Sequence, residues 1–95
     1  MATSISSGLK TADGLLFTGR NRINAVTLLG DGTNACNVLI HDGLDASGTK
    51  VVVKAKLAAG GVTQHIIFEN PVLCETGIYA DVTGTGAEYI VYFGG

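Results

Sequence analysis

Gly77-Ile78-Tyr79-Ala80-Asp81-Val82-Thr83-Gly84-Thr85-Gly86-Ala87-Glu88-Tyr89-Ile90-Val91-Tyr92-Phe93 holds two β-branched and aromatic runs around a Gly-Thr-Gly break. In the second run Tyr89, Val91 and Phe93 oppose Glu88, Ile90 and Tyr92, a period of two that places the sets on opposite faces of a strand. The same texture extends backward through the chain. Short stretches rich in Val, Ile, Thr and Tyr are broken every ~8–12 residues by Gly-containing turns, the spacing of an all-β sandwich or barrel. The breaks are Asp13-Gly14, Asp31-Gly32, Asp42-Gly43, Ser47-Gly48, Gly60-Gly61 and Gly84-Thr85-Gly86. Asp-Gly and Gly-Gly supply the positive φ that tight turns require.

This spacing predicts strands over residues 4–10, 15–18, 22–29, 35–41, 50–57, 62–68, 71–74, 77–83 and 88–93. The fold expected is a single antiparallel β-sandwich, jelly-roll or immunoglobulin-like, of about eight short strands. Residues 1–95 form one domain, with 1–10 as an N-terminal arm. Several strands carry apolar residues on both faces. Ile23, Ala25, Thr27 and Leu29 stand against Asn24, Val26 and Leu28. Cys36, Val38 and Ile40 alternate with Asn37, Leu39 and His41. Val51, Val53, Ala55 and Leu57 form an apolar face against Val52, Lys54 and Lys56. A sandwich with wet outer faces should read apolar-in, polar-out. Here Val, Leu, Ile or Tyr recurs outside, which points to outer faces covered by neighbouring subunits.

Composition agrees. The 95 residues carry 15% charged and 46% hydrophobic side chains, 14 Gly, no Trp and a net charge of -2. Such a chain is too apolar for disorder, and six Lys+Arg against eight Asp+Glu make no basic footprint for nucleic acid. Its apolar runs are far short of the ~20 residues of a membrane-spanning helix. The start has neither basic nor apolar signal-peptide regions, so assembly in a cytoplasm is expected. Cys36 and Cys74 are expected as buried reduced thiols.

Catalytic and metal patterns are weak. His41 and His65 lack a nucleophile motif, and only folding could bring Cys36 near His65. Residues 31–34 and 42–48 offer clustered oxygens but do not match a calcium loop; their aspartates are expected to initiate turns. Gly30-Asp31-Gly32 and Gly84-Thr85-Gly86 lack the helix that a phosphate loop needs. Glu69, Glu75 and Glu88 form no carboxylate pair. Neither catalysis, a cofactor nor a metal is expected. Arg20 and Arg22 are the only local basic cluster, either solvated or touching a partner.

The C-terminal third also carries a family pattern. Phe68-Glu69-Asn70-Pro71-Val72-Leu73-Cys74-Glu75-Thr76-Gly77-Ile78-Tyr79 leads through the Thr-Gly turn to the aromatic last strand. Upstream, Val38-Leu39-Ile40-His41-Asp42-Gly43 precedes Ser47-Gly48-Thr49-Lys50. Over residues 14–95 this resembles the small β-sandwich structural proteins of tailed bacteriophages, of the capsid decoration (cement) or head-fibre kind. The resemblance implies a non-enzymatic virion component, often trimeric, bound to the major capsid protein or other virion proteins and to neither nucleic acid nor membrane. No separate anchor or receptor-binding head is evident. On this reading Val52, Lys54, Ile90 and Tyr92 are candidate oligomer contacts, and Ser4, Ile5, Leu9, Arg20 and Arg22 candidate capsid contacts. The alternative is a small binding module for carbohydrate or a host surface, as in a fibre or tail component. Against it, Tyr79, Tyr89 and Tyr92 lie in strands where packing explains them.

Overall fold

A computed structural model describes residues 4–47 and 49–94. Eight strands follow in order: β1 (Ile5–Ser6), β2 (Gly14–Thr18), β3 (Asn21–Leu29), β4 (Cys36–Asp42), β5 (Lys50–Leu57), β6 (Thr63–Cys74), β7 (Gly77–Thr83) and β8 (Glu88–Phe93). They make two four-stranded sheets, ordered β1-β8-β3-β6 and β2-β7-β4-β5, with every pairing antiparallel. The pairs β4–β5, β3–β6, β2–β7 and β1–β8 nest about one hairpin, as though a long double strand had been rolled up. That order is a jelly roll, and it decides between the two sandwich types the sequence allows.

Between the sheets, Ile23, Val26, Leu28, Tyr89, Val91 and Phe93 meet Cys36, Val38, Ile40, Val53, Ala55, Leu57, Ile78 and Ala80. Burying each large side chain in this set contributes about 1.5–3 kcal/mol against exposure. Cys36 opens β4. Cys74 lies at the opposite end of the sandwich, where burial first, and then the charge of Asp42, the last residue of β4, raise its thiol pKa. Both cysteines are buried and free, and a disulfide between opposite ends would require backbone movement.

Three details depart from the alternation read in the sequence. In β3 the register shifts between Ile23 and Ala25 against both β6 and β8. Asn24 is the inserted residue, a bulge that changes the strand's phase. Ile23 therefore joins Val26 and Leu28 inside, and Ala25, Thr27 and Leu29 face out. In β5 a shift against Ile40 and His41 leaves Val52 as the extra residue. Val52 packs against the core instead of sharing an outer face with Lys54, and Val51 is exposed. The two segments expected at 62–68 and 71–74 are one strand, β6, with interrupted pairing. Ile67 pairs with Ala25 and Val72 with Ile23, so residues 68–71 stand opposite Asn24 alone.

The N-terminal arm is not a free tether over its described part. Ile5 and Ser6 pair with Phe93 and Tyr92, Ser7 N–H donates to Val91 O at 2.9 Å, and Lys10 bridges Tyr89. The strand expected over residues 4–10 is thus a short edge strip along β8. Met1, Ala2 and Thr3 of that arm, like Gly48 of the expected turn, lie outside the described residues.

At one end of the sandwich Asp42 clamps the β6–β7 turn. Its Oδ2 accepts from Glu75 N–H and its Oδ1 from Thr76 N–H, both at 2.9 Å. Burial pushes this carboxyl up, but those N–H donors, with Gly77 N–H and nearby Lys50, outweigh it and hold the pKa below its usual value of 3.8. Asp42→Ala is expected to lower stability by about 1.5–3 kcal/mol, towards the lower figure because the carboxylate stays partly in water. A depressed pKa gives stability that is present above the unfolded value and lost as pH falls through the folded one. Urea unfolding should therefore separate wild type from Asp42→Ala at pH 7, and the gap should close below about pH 4.

Candidate interaction surface

The outer faces of the two sheets differ in chemistry. On the β2-β7-β4-β5 sheet the cross-strand rows read Thr83–Asn37–Lys56, Asp81–Leu39–Lys54 and Leu15–Tyr79–His41–Val51. Charges of both signs sit among apolar residues there. On the β8-β3-β6 face the rows read Tyr92–Ala25–Ile67, Ile90–Thr27–His65 and Glu88–Leu29–Thr63. Arg22, beside Leu73, lies at one end of this face and Glu88 at the other, and the rows between them carry no Asp, Glu, Lys or Arg.

Ile67 is 73% exposed, the most exposed of the large apolar side chains among the described residues. It rims an open hollow of about 360 Å³, lined with Ser4, Asn24, Ala25, His65 and Tyr92. The rim is braced from within. Thr27 Oγ1 and His65 Nδ1 lie 2.6 Å apart, and the His65 ring stands edge-on to Tyr92 with centroids 6.4 Å apart. The Asn24 bulge closes the floor, its Nδ2 donating to Ser4 Oγ at 2.8 Å and Gly94 O at 3.2 Å. One inserted residue thus ties Ser4 and Gly94 to the centre of this face.

Ile90 and Tyr92 lie on this face, half-buried. Lys54 is exposed on the other outer face, so the candidate oligomer contacts do not form one surface. Ser4 and Ile5 run along β8 beside Phe93, which pairs with Ile23 next to Arg22. Arg20, in the β2–β3 turn, reaches Glu75 at 3.7 Å, an exposed pair of the kind worth under ~1 kcal/mol. Leu9 is apart, next to the Lys10–Tyr89 bridge. Sequence reasoning missed Ile67, His65 and Ala25. The consecutive apolar residues at 66–68 gave no readable face for β6, and the Asn24 bulge concealed the phase of β3.

The other polar candidates serve the fold. Asp31 accepts from Thr33 N–H and Asn34 N–H, and also from Asn34 Nδ2. These bonds, the Asn34 backbone N–H first, hold its pKa below 3.8. Asp45 accepts from Ser47 N–H at 3.0 Å. His41 is buried beneath the β4–β5 connection. Thr49 Oγ1 gives its proton to Asp45 O and so accepts from His41 Nδ1 at 3.1 Å. Cys36 lies in the core and His65 on an outer face, so the two do not meet. Among the described residues no three His, Cys, Asp or Glu side chains gather as a metal site.

The fold and this surface define a class: a small jelly-roll β-sandwich with one neutral, partly apolar outer face. Comparison with family models, curated proteins and solved structures finds no match to this chain.

Proposed function

We propose that the chain is a non-enzymatic structural subunit of a bacteriophage virion, a decoration or cement protein. Its copies associate with one another and bind the lattice of a major capsid protein, stabilising the head after assembly in the host cytoplasm. The observation that carries this reading is the Tyr92–Ala25–Ile67 and Ile90–Thr27–His65 rows, a charge-free middle to one outer face of a domain of 95 residues. A domain of that size buries only about 60–65% of its unfolded surface and benefits from stabilisation by neighbours. The jelly roll supports the reading by analogy alone, since viral capsid domains use it, as do lectins and cupins. The sequence pattern over residues 14–95 supplies the rest.

A lattice-bound subunit should travel with particles. In a density gradient of a phage-producing lysate, the chain is expected in the head band and should leave it when heads are disrupted. A chain found only among free soluble protein contradicts the proposal. Ser4, Ile5, Leu9, Arg20 and Arg22 remain the proposed capsid contacts. Because residues 5–7 also pair with β8, point substitutions such as Leu9→Ser and Arg20→Ala test them better than deletion of the arm.

The second reading, a carbohydrate- or host-surface-binding module, draws on the same hollow, where Tyr92 and His65 stand beside Asn24. Specific glycan binding abolished by Tyr92→Ala would favour it over the virion role.

A further inference from the structure

We propose that the β8-β3-β6 outer face is a two-fold interface with a second copy of this chain, its axis lying along the Tyr92–Ala25–Ile67 row. The inference rests on the self-association part of the virion reading and names its surface and symmetry. It replaces the trimer of the family resemblance with a dimer.

The lateral edges are poor places to join copies. β5 presents Lys50, Lys54 and Lys56, all exposed, and the N–H of Lys56 is already given to Gln64 Oε1 at 2.8 Å. β6 carries the unpaired 68–71 segment with Pro71, β2 is broken by a register shift between Leu15 and Phe17, and β1 has only two residues. Charged, bulged and very short edges block strand addition, so copies must meet through faces. The molecule measures 36 × 32 × 19 Å, and one broad face can hold the ~800 Å² per partner of a standard interface.

Between the two faces, charge decides. A two-fold contact lays a patch on itself. On the β2-β7-β4-β5 face Asp81, Lys54 and Lys56 put charges of both signs across two adjacent rows, which a contact there would have to desolvate, whereas the Tyr92–Ala25–Ile67 and Ile90–Thr27–His65 rows of the opposite face carry none. With the axis along the central row, Ile67 packs on Ile67 and Tyr92 on Tyr92, beside the hollow they share. Turning the second copy about that axis exchanges the ends of the face, so the Glu88 end of each copy meets the Arg22 end of the other. An axis along the strands would instead keep the Glu88 end over the Glu88 end and the Arg22 end over the Arg22 end, with like charges facing. Arg22 already has a contact within its own chain, and its five donors let one guanidinium serve two acceptors. The Thr27–His65–Tyr92 contacts hold the central side chains in place before association, which lowers the ordering cost of binding.

Sedimentation velocity of the full chain, from low micromolar to submillimolar protein, tests this with Ile67→Glu and Lys54→Glu beside wild type. Both substituted positions are exposed, and circular dichroism checks that each variant is folded. The wild type is expected to form a dimer. Ile67→Glu should weaken it roughly tenfold or more, the effect of one uncompensated charge in an apolar contact, while Lys54→Glu leaves it unchanged. A dimer indifferent to Ile67→Glu, or broken by Lys54→Glu, overturns this interface but leaves self-association standing. A trimer overturns the two-fold in the same way. A wild-type monomer throughout overturns both.

Discussion

Tyr89→Ala is expected to lower the unfolding free energy by about 3–5 kcal/mol, the range for removing a large ring from a packed core. Tyr89→Phe should cost only about 1 kcal/mol. Tyr89 is 0% exposed. Its ring lies between the sheets, and its hydroxyl donates to Ala12 O at 2.6 Å. Its backbone N–H and C=O both pair with Lys10 at 2.9 Å. One residue therefore fills the core and fastens the β1–β2 segment over β8. Phenylalanine keeps the volume and loses one hydrogen bond, whose acceptor can turn to water because Ala12 is exposed. Urea unfolding at neutral pH distinguishes the two variants.

The same burial has an alkaline consequence. Desolvation first, then the charges of Asp13 and Tyr79, push the Tyr89 phenol up to about 12. Burial, with Asp42 adding to it, pushes the Cys74 thiol up to about 11. Both raised values favour the neutral form. Their stabilisation is whole below the unfolded pKa values of 9.0 and 10.0 and is lost as pH rises through the folded ones. Each shift corresponds to roughly 2–3 kcal/mol. The urea midpoint should fall steadily between about pH 9 and 12, and Cys74→Ala should flatten the first part of that fall.

Gly84→Ala is expected to cost about 3–5 kcal/mol, combining backbone strain with overpacking. Gly84 opens the β7–β8 turn at φ +118°, where L-residues rarely sit. A Cβ there would stand 2.6 Å from Ala35 O, 2.6 Å from Cys36 Cβ and 2.7 Å from Cys36 Cα. Two of these three atoms are backbone at the start of β4, so the clash cannot be relieved by rotating a side chain. Gly60 is the control. Its φ is +89°, and a Cβ added there would meet nothing within 4 Å. Gly60→Ala should therefore cost only about 1–2 kcal/mol of strain. Thermal melts of both variants separate close approach from φ alone. Equal losses would contradict this account of the turn.

Strand positions were legible because their physics is local. Period-two alternation over residues 88–93 and 36–40, with Asp-Gly and Gly-Gly breaks, is written in adjacent residues. The jelly-roll order was not, since nothing in a strand's composition states its partner. Bulges were the other loss. Asn24 and Val52 each add one residue to a strand, and a one-residue insertion moves every later side chain to the other face. Half of the candidate surface was readable: Ile90 and Tyr92 alternate cleanly with core residues. Ile67 was hidden by its neighbours Ile66 and Phe68, and its exposure follows from where β6 pairs with Ala25.

A domain that works as a tile should have its neutral face covered by a neighbour, and cryo-electron microscopy of the native assembly would show that contact outright. Regular copies on a capsid lattice are expected, with the Tyr92–Ala25–Ile67 row of each buried against a second copy and Lys54 on the face turned away from that contact. An assembly in which Ile67 faces open solvent would contradict the tile.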